Sequence, residues 1–225
     1  GLKDNRSVRV FSEGVAGNET AEAAAARAST GSENDGGARQ FARYLKEVGE
    51  RYVDQLDVKL IYRRDRYLRG GDHTPFSKEG FAAIRVTEMN ENFERQHQTL
   101  RTENGIDYGD TPEFVDYEYT QKVARLNLAA LASLALAPQQ PENVGVITSG
   151  LTNKTSLKWE APKGKKPAGY YVLMRETSSP TWERKFYVTD TKATLNYSKD
   201  NYFFGVQSVD ADGHESLVVI PKAVR

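Results

Sequence analysis

The sequence predicts an α/β layer domain followed by an all-β sandwich, and two observations carry that prediction. Up to residue 138, short apolar runs of strand character alternate with apolar residues at three- and four-residue spacing, the spacing of a helix face. After the segment Pro138-Gln139-Gln140-Pro141-Glu142-Asn143 the period becomes two, with Gly, Pro, Asn and Asp between the runs. The expected domains are therefore 1–138 and 139–225, joined by that Pro-rich linker. A chain of 225 residues is long enough for two modest domains.

Taken in order, Ser7 to Val15 reads as a short strand around Val8, Val10 and Phe11. The stretch from Gly17 to Gly37 is rich in Ala, Gly, Ser, Glu and Asn, and reads as a mobile or partly helical loop broken by Gly31, Gly36 and Gly37. Ala38, Phe41, Leu45, Val48 and Tyr52 share one helix face. Val58 to Tyr62 is a strand, and a helical turn from Thr74 to Glu79 stops at Gly80 before a further strand, Ala82 to Val86. The longest helix is expected to start near Thr111-Pro112-Glu113, with Thr111 as its cap. Its main buried face is Val115, Tyr119, Val123, Leu126, Ala130 and Leu134, widened by Leu128, Leu131 and Leu136, so much of it should be covered. Six strands are expected beyond the linker: Thr155–Glu160, Tyr170–Arg175, Lys185–Val188, Ala193–Tyr197, Tyr202–Val209 and Leu217–Ile220.

Composition excludes several functions. The 31 basic and 31 acidic residues balance, so no overall field favours nucleic acid. No apolar run approaches the roughly 20 residues of a membrane span. There is no cysteine, hence no disulfide, thiolate metal site or cysteine nucleophile. Neither a phosphate-binding glycine motif nor a serine-nucleophile elbow is present. The sequence opens Gly1-Leu2-Lys3 without an initiator Met and reads as starting inside a longer gene product.

In the second domain, Leu157-Lys158-Trp159-Glu160-Ala161-Pro162, Gly169-Tyr170-Tyr171-Val172 and Tyr202-Phe203-Phe204-Gly205-Val206-Gln207-Ser208 resemble strands of a fibronectin type III module. The resemblance implies a core position for Trp159. It is nearly silent on function. Such a module serves as a spacer, or as a docking surface for which Trp182 and Tyr187 are the candidate aromatic platform.

In the first domain, three segments stand in sequence: Gly70-Gly71-Asp72-His73-Thr74-Pro75-Phe76, then Gly80-Phe81-Ala82-Ala83-Ile84, then Gln96-His97-Gln98. Together they resemble the two-zinc aminopeptidases and their relatives, the glutaminyl cyclases. The wider run from Val8 to Pro138 resembles one exported bacterial branch of that family. The resemblance implies that 1–138 is the C-terminal portion of a zinc-exopeptidase-like α/β domain. By position it makes His97 a metal ligand, and Asp72, His73 and Phe76 the lining of the substrate pocket. The family's remaining ligands and its general-base Glu precede everything matched here. No catalytic residue is therefore expected in this chain, and zinc, two ions in an intact parent, should be absent or weakly bound by it alone. The Asp that the family places shortly after its ligand His is also replaced, by Gln98-Thr99-Leu100-Arg101.

The resemblance further implies a peptide substrate, a periplasmic or extracellular location, and self-association or association with the missing N-terminal part. It implies neither nucleic acid nor a membrane span. The alternative function is a non-catalytic peptide or protein interaction module. Simpler roles exist for each residue as well: His97 solvated in a polar loop, Asp72 capping the next helical turn, and Arg63, Arg64, Arg66 and Arg69 forming a solvated rim paired with carboxylates such as Asp65.

Overall fold

The first strand, β1 (Ser7–Ser12), alternates as expected and buries Val8, Val10 and Ser12 on one side. The computed structural model describes residues 3–225, which divide into two compact units, Gly1–Ala130 and Leu131–Arg225. Strand β1 stops at Ser12, earlier than the expected Val15, because Gly14 breaks away to pack against a second loop. The Ala-rich stretch that follows is a helix, α1 (Ala21–Thr30). Thr20 caps it by accepting from the Ala23 amide at 3.2 Å, and Gly31 ends it in a left-handed conformation. Of the glycines expected to break this helix, Gly31 ends it, and Gly36 and Gly37 instead open the next one.

Helix α2 (Gly37–Tyr52) buries Ala38, Ala42, Leu45, Val48 and Gly49 against the sheet. At Gly49 the absence of a Cβ leaves room for the Leu126 and Val58 side chains. Strand β2 (Asp57–Ile61) lies parallel to β1, with Val8 opposite Val58 and Phe11 opposite Ile61. Helix α3 (His73–Lys78) leads through Gly80 (φ 86°) to β3 (Ile84–Glu88), which runs antiparallel to β1. The sheet order is β2-β1-β3. A small hairpin follows, β4 (Arg101–Glu103) and β5 (Ile106–Tyr108). Its Asn104-Gly105 turn has both φ angles positive, as a tight hairpin requires.

The long helix, α4 (Tyr117–Leu136), begins later than the sequence suggested. Thr111-Pro112-Glu113 makes only a 3₁₀ turn, Pro112–Phe114, and Thr111 makes no capping bond to it. Asp116 is the cap: its Oδ1 accepts from the Tyr119 amide at 2.9 Å, and its carbonyl accepts from Thr120 at 2.9 Å. The expected burial also needs correction. Leu126 and Ala130 are buried, and Tyr119, Val123 and Leu134 are partly so. Val115, Leu128, Leu131 and Leu136 are exposed, Leu128 at 66%. Only one stripe of the helix meets a neighbour.

The second unit is built on seven strands: β6 (Glu142–Ile147), β7 (Thr155–Glu160), β8 (Gly169–Glu176), β9 (Arg184–Val188), β10 (Lys192–Leu195), β11 (Tyr202–Val209) and β12 (Lys222–Val224). They form two sheets, β10-β7-β6-β12 and β11-β8-β9. Between them lies a core of Val144, Leu157, Trp159, Tyr170, Val172, Met174, Phe204 and Val206. Trp159 meets Tyr170 edge-on at 5.4 Å. This is the mixed α/β chain with a sandwich that the sequence implied. Two details differ. Glu142 and Asn143, read as linker, already belong to β6, where Asn143 (φ 51°) sits beside a bulge. Leu217–Ile220 makes only isolated bridges such as Val219 to Val206, and the regular strand lies at Lys222–Val224.

Candidate functional site

Parallel β1 and β2 end at Ser12 and Ile61, and their loops leave the sheet on the same side. The loops at the carboxyl ends of such strands are where an α/β layer places its chemistry. Because β3 is antiparallel, Ile84 opposite Ser12, the segment entering it joins the same edge.

Asp65 is the hub of this edge. Its carboxylate is buried and accepts from the Arg66 amide at 2.7 Å, from Arg66 Nε at 3.2 Å and from Arg85 Nη1 at 3.3 Å. Burial pushes its pKa up, but the Arg66 amide and the Arg66 and Arg85 guanidiniums outweigh that and hold it below the ordinary Asp range. Arg85 also donates to the Gly70 carbonyl at 2.8 Å. A Cβ on Gly71 would strike the Arg85 guanidinium, so the Gly70-Gly71 pair lets the chain pass close to that cation.

His73, the first residue of α3, is buried. Its Nε2 lies 2.8 Å from the Arg64 carbonyl and 3.9 Å from Asp65 Oδ2. A carbonyl only accepts, so Nε2 donates and carries a proton. Asp72 is exposed, adopts helical angles and makes no capping bond to α3, so the capping role considered for it is not what holds it there. Phe76 is 58% exposed and meets Phe81 edge-on at 6.3 Å.

His97 lies on the loop after β3. That loop leaves the sheet at Glu88, opposite Val8, at the other end of β1. Two contacts bring it back: Glu91 binds both Arg9 (2.7 Å) and Arg66, and Gln96 accepts from Arg69 Nη2 at 3.4 Å. Asn92 organises the return. Its carbonyl accepts from Arg95 and Gln96, and its side chain accepts from Glu94. The turn so formed ends at His97, whose φ of 56° is uncommon for a residue with a side chain. The residue next to His97 is thus tied to Arg69, just ahead of Gly70–His73, while the His97 side chain is exposed. Sequence reasoning named His73 and His97, and read Asp65 only as a carboxylate of a solvated rim, whereas it is buried. It missed the part played by Arg85 and Glu91, because their partners are distant in sequence.

Beside this hub lies a cleft of about 600 Å³. Glu13–Gly17 forms one wall, and Arg39, Arg63, Arg64, Arg66, Arg69 and Asp65 complete it. Arg64 pairs with Glu13.

Zinc prefers four donors, typically His nitrogen and carboxylate oxygen. His97 offers one exposed imidazole, directly after the Asn92 turn. Among the described residues, the one group of three potential donors within reach of a single ion is Asp210, Asp212 and His214 in the second unit, and it does not include His97. The sandwich group is poorly suited to a cation. Lys165 Nζ already sits 2.7 Å from Asp210 Oδ2, and His214 Nδ1 lies at 3.0 Å. Asp210 Oδ1 accepts from the Asp212 and His214 amides. The candidate platform is also divided: Trp182 is half-buried near Arg175, and Tyr187 is exposed, set against Tyr171 at 5.6 Å and donating to the Ala168 carbonyl. No helix is long and apolar enough to cross a membrane.

No family model matches the chain. It is similar to proteins named probable zinc metalloprotease in three fungi. In Leptosphaeria maculans the identity is 47% over 222 residues, covering 98% of this chain and 52% of the relative. In Pyricularia oryzae it is 45% over 228 residues, covering 98% and 45%. In Pyrenophora tritici-repentis it is 43% over 224 residues, covering 98% and 46%. The chain spans about half the length of these relatives. Among solved structures, an Fn3-like protein from Clostridium thermocellum matches 40% of the chain and 96% of its own, with 23% identity and a TM-score of 0.31. The structure named FN3tt matches 40% and 97%, with 21% identity and a TM-score of 0.32. At those scores the sandwich rests on its own strand order, given above.

Proposed function

We propose that this chain is the C-terminal part of a zinc-dependent metallopeptidase, and that the enzyme removes residues from peptide N-termini. The observation that carries this reading is the 47% identity, across 98% of the chain, to a relative named probable zinc metalloprotease and about twice as long. In this reading His97 supplies one metal donor from the Asn92 turn, and the remaining donors come from elsewhere in a longer protein. When bound, a pair of zinc ions supplies an activated water and a clamp for the tetrahedral transition state. The chain's own residues do the positioning. Asp65, Arg66 and Arg85 fix the loop before α3, the Arg64 carbonyl fixes the His73 ring, and Asp72, His73 and Phe76 line the substrate pocket. An exported enzyme is the corresponding location.

The test is hydrolysis of an aminoacyl nitroanilide, set against the same compound with its amine acetylated, by the whole gene product loaded with zinc. The reading predicts cleavage of the free-amine substrate only. Equal cleavage of both would retain a zinc peptidase but remove the restriction to chain ends. No cleavage of either, with zinc bound, would overturn the reading.

A further inference from the structure

We propose that the arginine-lined cleft at the carboxyl ends of β1 and β2 is a binding site for a carboxylate-bearing ligand. Five guanidiniums, those of Arg39, Arg63, Arg64, Arg66 and Arg69, face two carboxylates there, Glu13 and Asp65. Both carboxylates are already engaged, Glu13 by Arg64 and Asp65 by Arg66 and Arg85. Arg39 makes the excess informative. It is 5% exposed, its Nη1 donates to the Ser12 carbonyl and hydroxyl, its guanidinium lies over the Tyr62 ring at 4.3 Å, and its Nε has no hydrogen-bond partner. Among the described residues no carboxylate lies within ion-pair distance of it. A buried cation with no counter-ion in contact is costly, and here only Glu13, already paired with Arg64, offsets its charge from a distance. Burial is also what pulls its pKa down to about 10, which still leaves it charged at neutral pH.

The wall facing these cations is built for close approach. The Gly14 carbonyl accepts from the Gly36 amide at 3.1 Å at the start of α2, and a Cβ on either glycine would collide with the other loop. The positive end of α2 thus stands beside the Gly14 wall. Arg63 and Arg69 are exposed at the mouth, where Arg63 lies 3.7 Å from the centre of the Tyr67 ring. The carboxylate is favoured over phosphate because lining arginines already hold carboxylates in this cleft, Glu13 by Arg64 and Asp65 by Arg66. The carboxylate can come from a free dicarboxylate or from an acidic side chain of a peptide. This inference goes beyond the peptidase reading and stands without it, because binding is measured on this chain directly.

The experiment is calorimetric titration of the chain at low salt with succinate, with the dipeptides Ala-Glu and Ala-Gln, and with inorganic phosphate. Saturable binding of succinate or Ala-Glu at about 1 mM or tighter is expected, with Ala-Gln about tenfold weaker than Ala-Glu. Tighter succinate points to a free dicarboxylate, and tighter Ala-Glu to a peptide. The Arg63→Ala/Arg69→Ala double variant changes only exposed side chains, so it keeps the fold while weakening binding about tenfold. Arg39→Met abolishes binding where it folds. Absence of saturable binding by both carboxylates, binding of phosphate alone, or unchanged affinity in the double variant overturns the proposal.

Discussion

In the first unit the buried Asp65 is shared by Arg66 and Arg85 beside a buried imidazole, and Glu91 bridges Arg9 to Arg66 across 82 and 25 positions of sequence. In the sandwich the comparable acid, Asp210, ties together its own turn through Asp212 and His214 and holds a single lysine. Sandwich charge also reaches across the sequence, Lys165 to Asp210 over 45 positions and Lys185 to Glu215 over 30, but it lies outside an aliphatic and aromatic core over which the two sheets close. Arg175 is buried there too, but it donates to the carbonyls of Glu176 and Ser179. The difference teaches where to look for chemistry. Asp210 is satisfied by one lysine and its own turn, whereas Asp65 and Glu91 each gather two guanidiniums, a convergence of charge that shapes a surface for something else.

Breaking the sandwich core should give the largest effect. Trp159→Ala is expected to destabilise the second unit by about 4 kcal/mol, read as a lower unfolding midpoint of the sandwich in denaturant titration. The first unit and its cleft should be unchanged in carboxylate titration. Next comes Asp65→Asn. It leaves Arg66 and Arg85 facing a neutral partner and is expected to cost about 3 kcal/mol in the first unit. Native-state hydrogen exchange that loosens β1 and β2 but not the sandwich would confirm that the two networks are separate.

Acid sharpens the same comparison. In Asp210, burial raises the pKa, but bonds from Lys165 and from the His214 amide and ring outweigh it and hold the carboxyl below its ordinary range. A folded pKa lower than the unfolded one gives stability that is complete above the usual Asp value, about 3.9, and lost as pH falls below it. Asp65 carries the same sign. Asp210→Asn should therefore flatten the sandwich's loss of stability below that pH and leave the first unit's loss intact, as measured by unfolding midpoints across acid pH. The smallest effect belongs to Leu128→Ser, within about 0.5 kcal/mol in this chain, because the side chain already faces solvent.

Much of this was legible in the sequence. The period-two alternation over the six residues of Thr155–Glu160 and the eight of Tyr202–Val209 gave those strands to the residue, because alternation is a local property. The face of α2 was equally clear, apart from Tyr52, which lies at the frayed end and is exposed. What failed were choices between nearby signals, such as Thr111 against Asp116 as the cap of α4. Burial of Leu128 and Leu131 also failed, because it depends on a neighbour that periodicity cannot supply. At the site, His73 and His97 were singled out only by resemblance to a family motif, since a histidine in a polar stretch is ordinarily just solvated. The Asp65 hub and the Arg39 cation were not singled out, since both are defined by partners that only folding brings near.

Zinc content of the whole gene product, after exhaustive dialysis, compares the two units most directly. The account predicts bound zinc that is lost on His97→Ala and retained on His214→Ala. Zinc that survives the first change and disappears with the second would move the metal to the sandwich and contradict it.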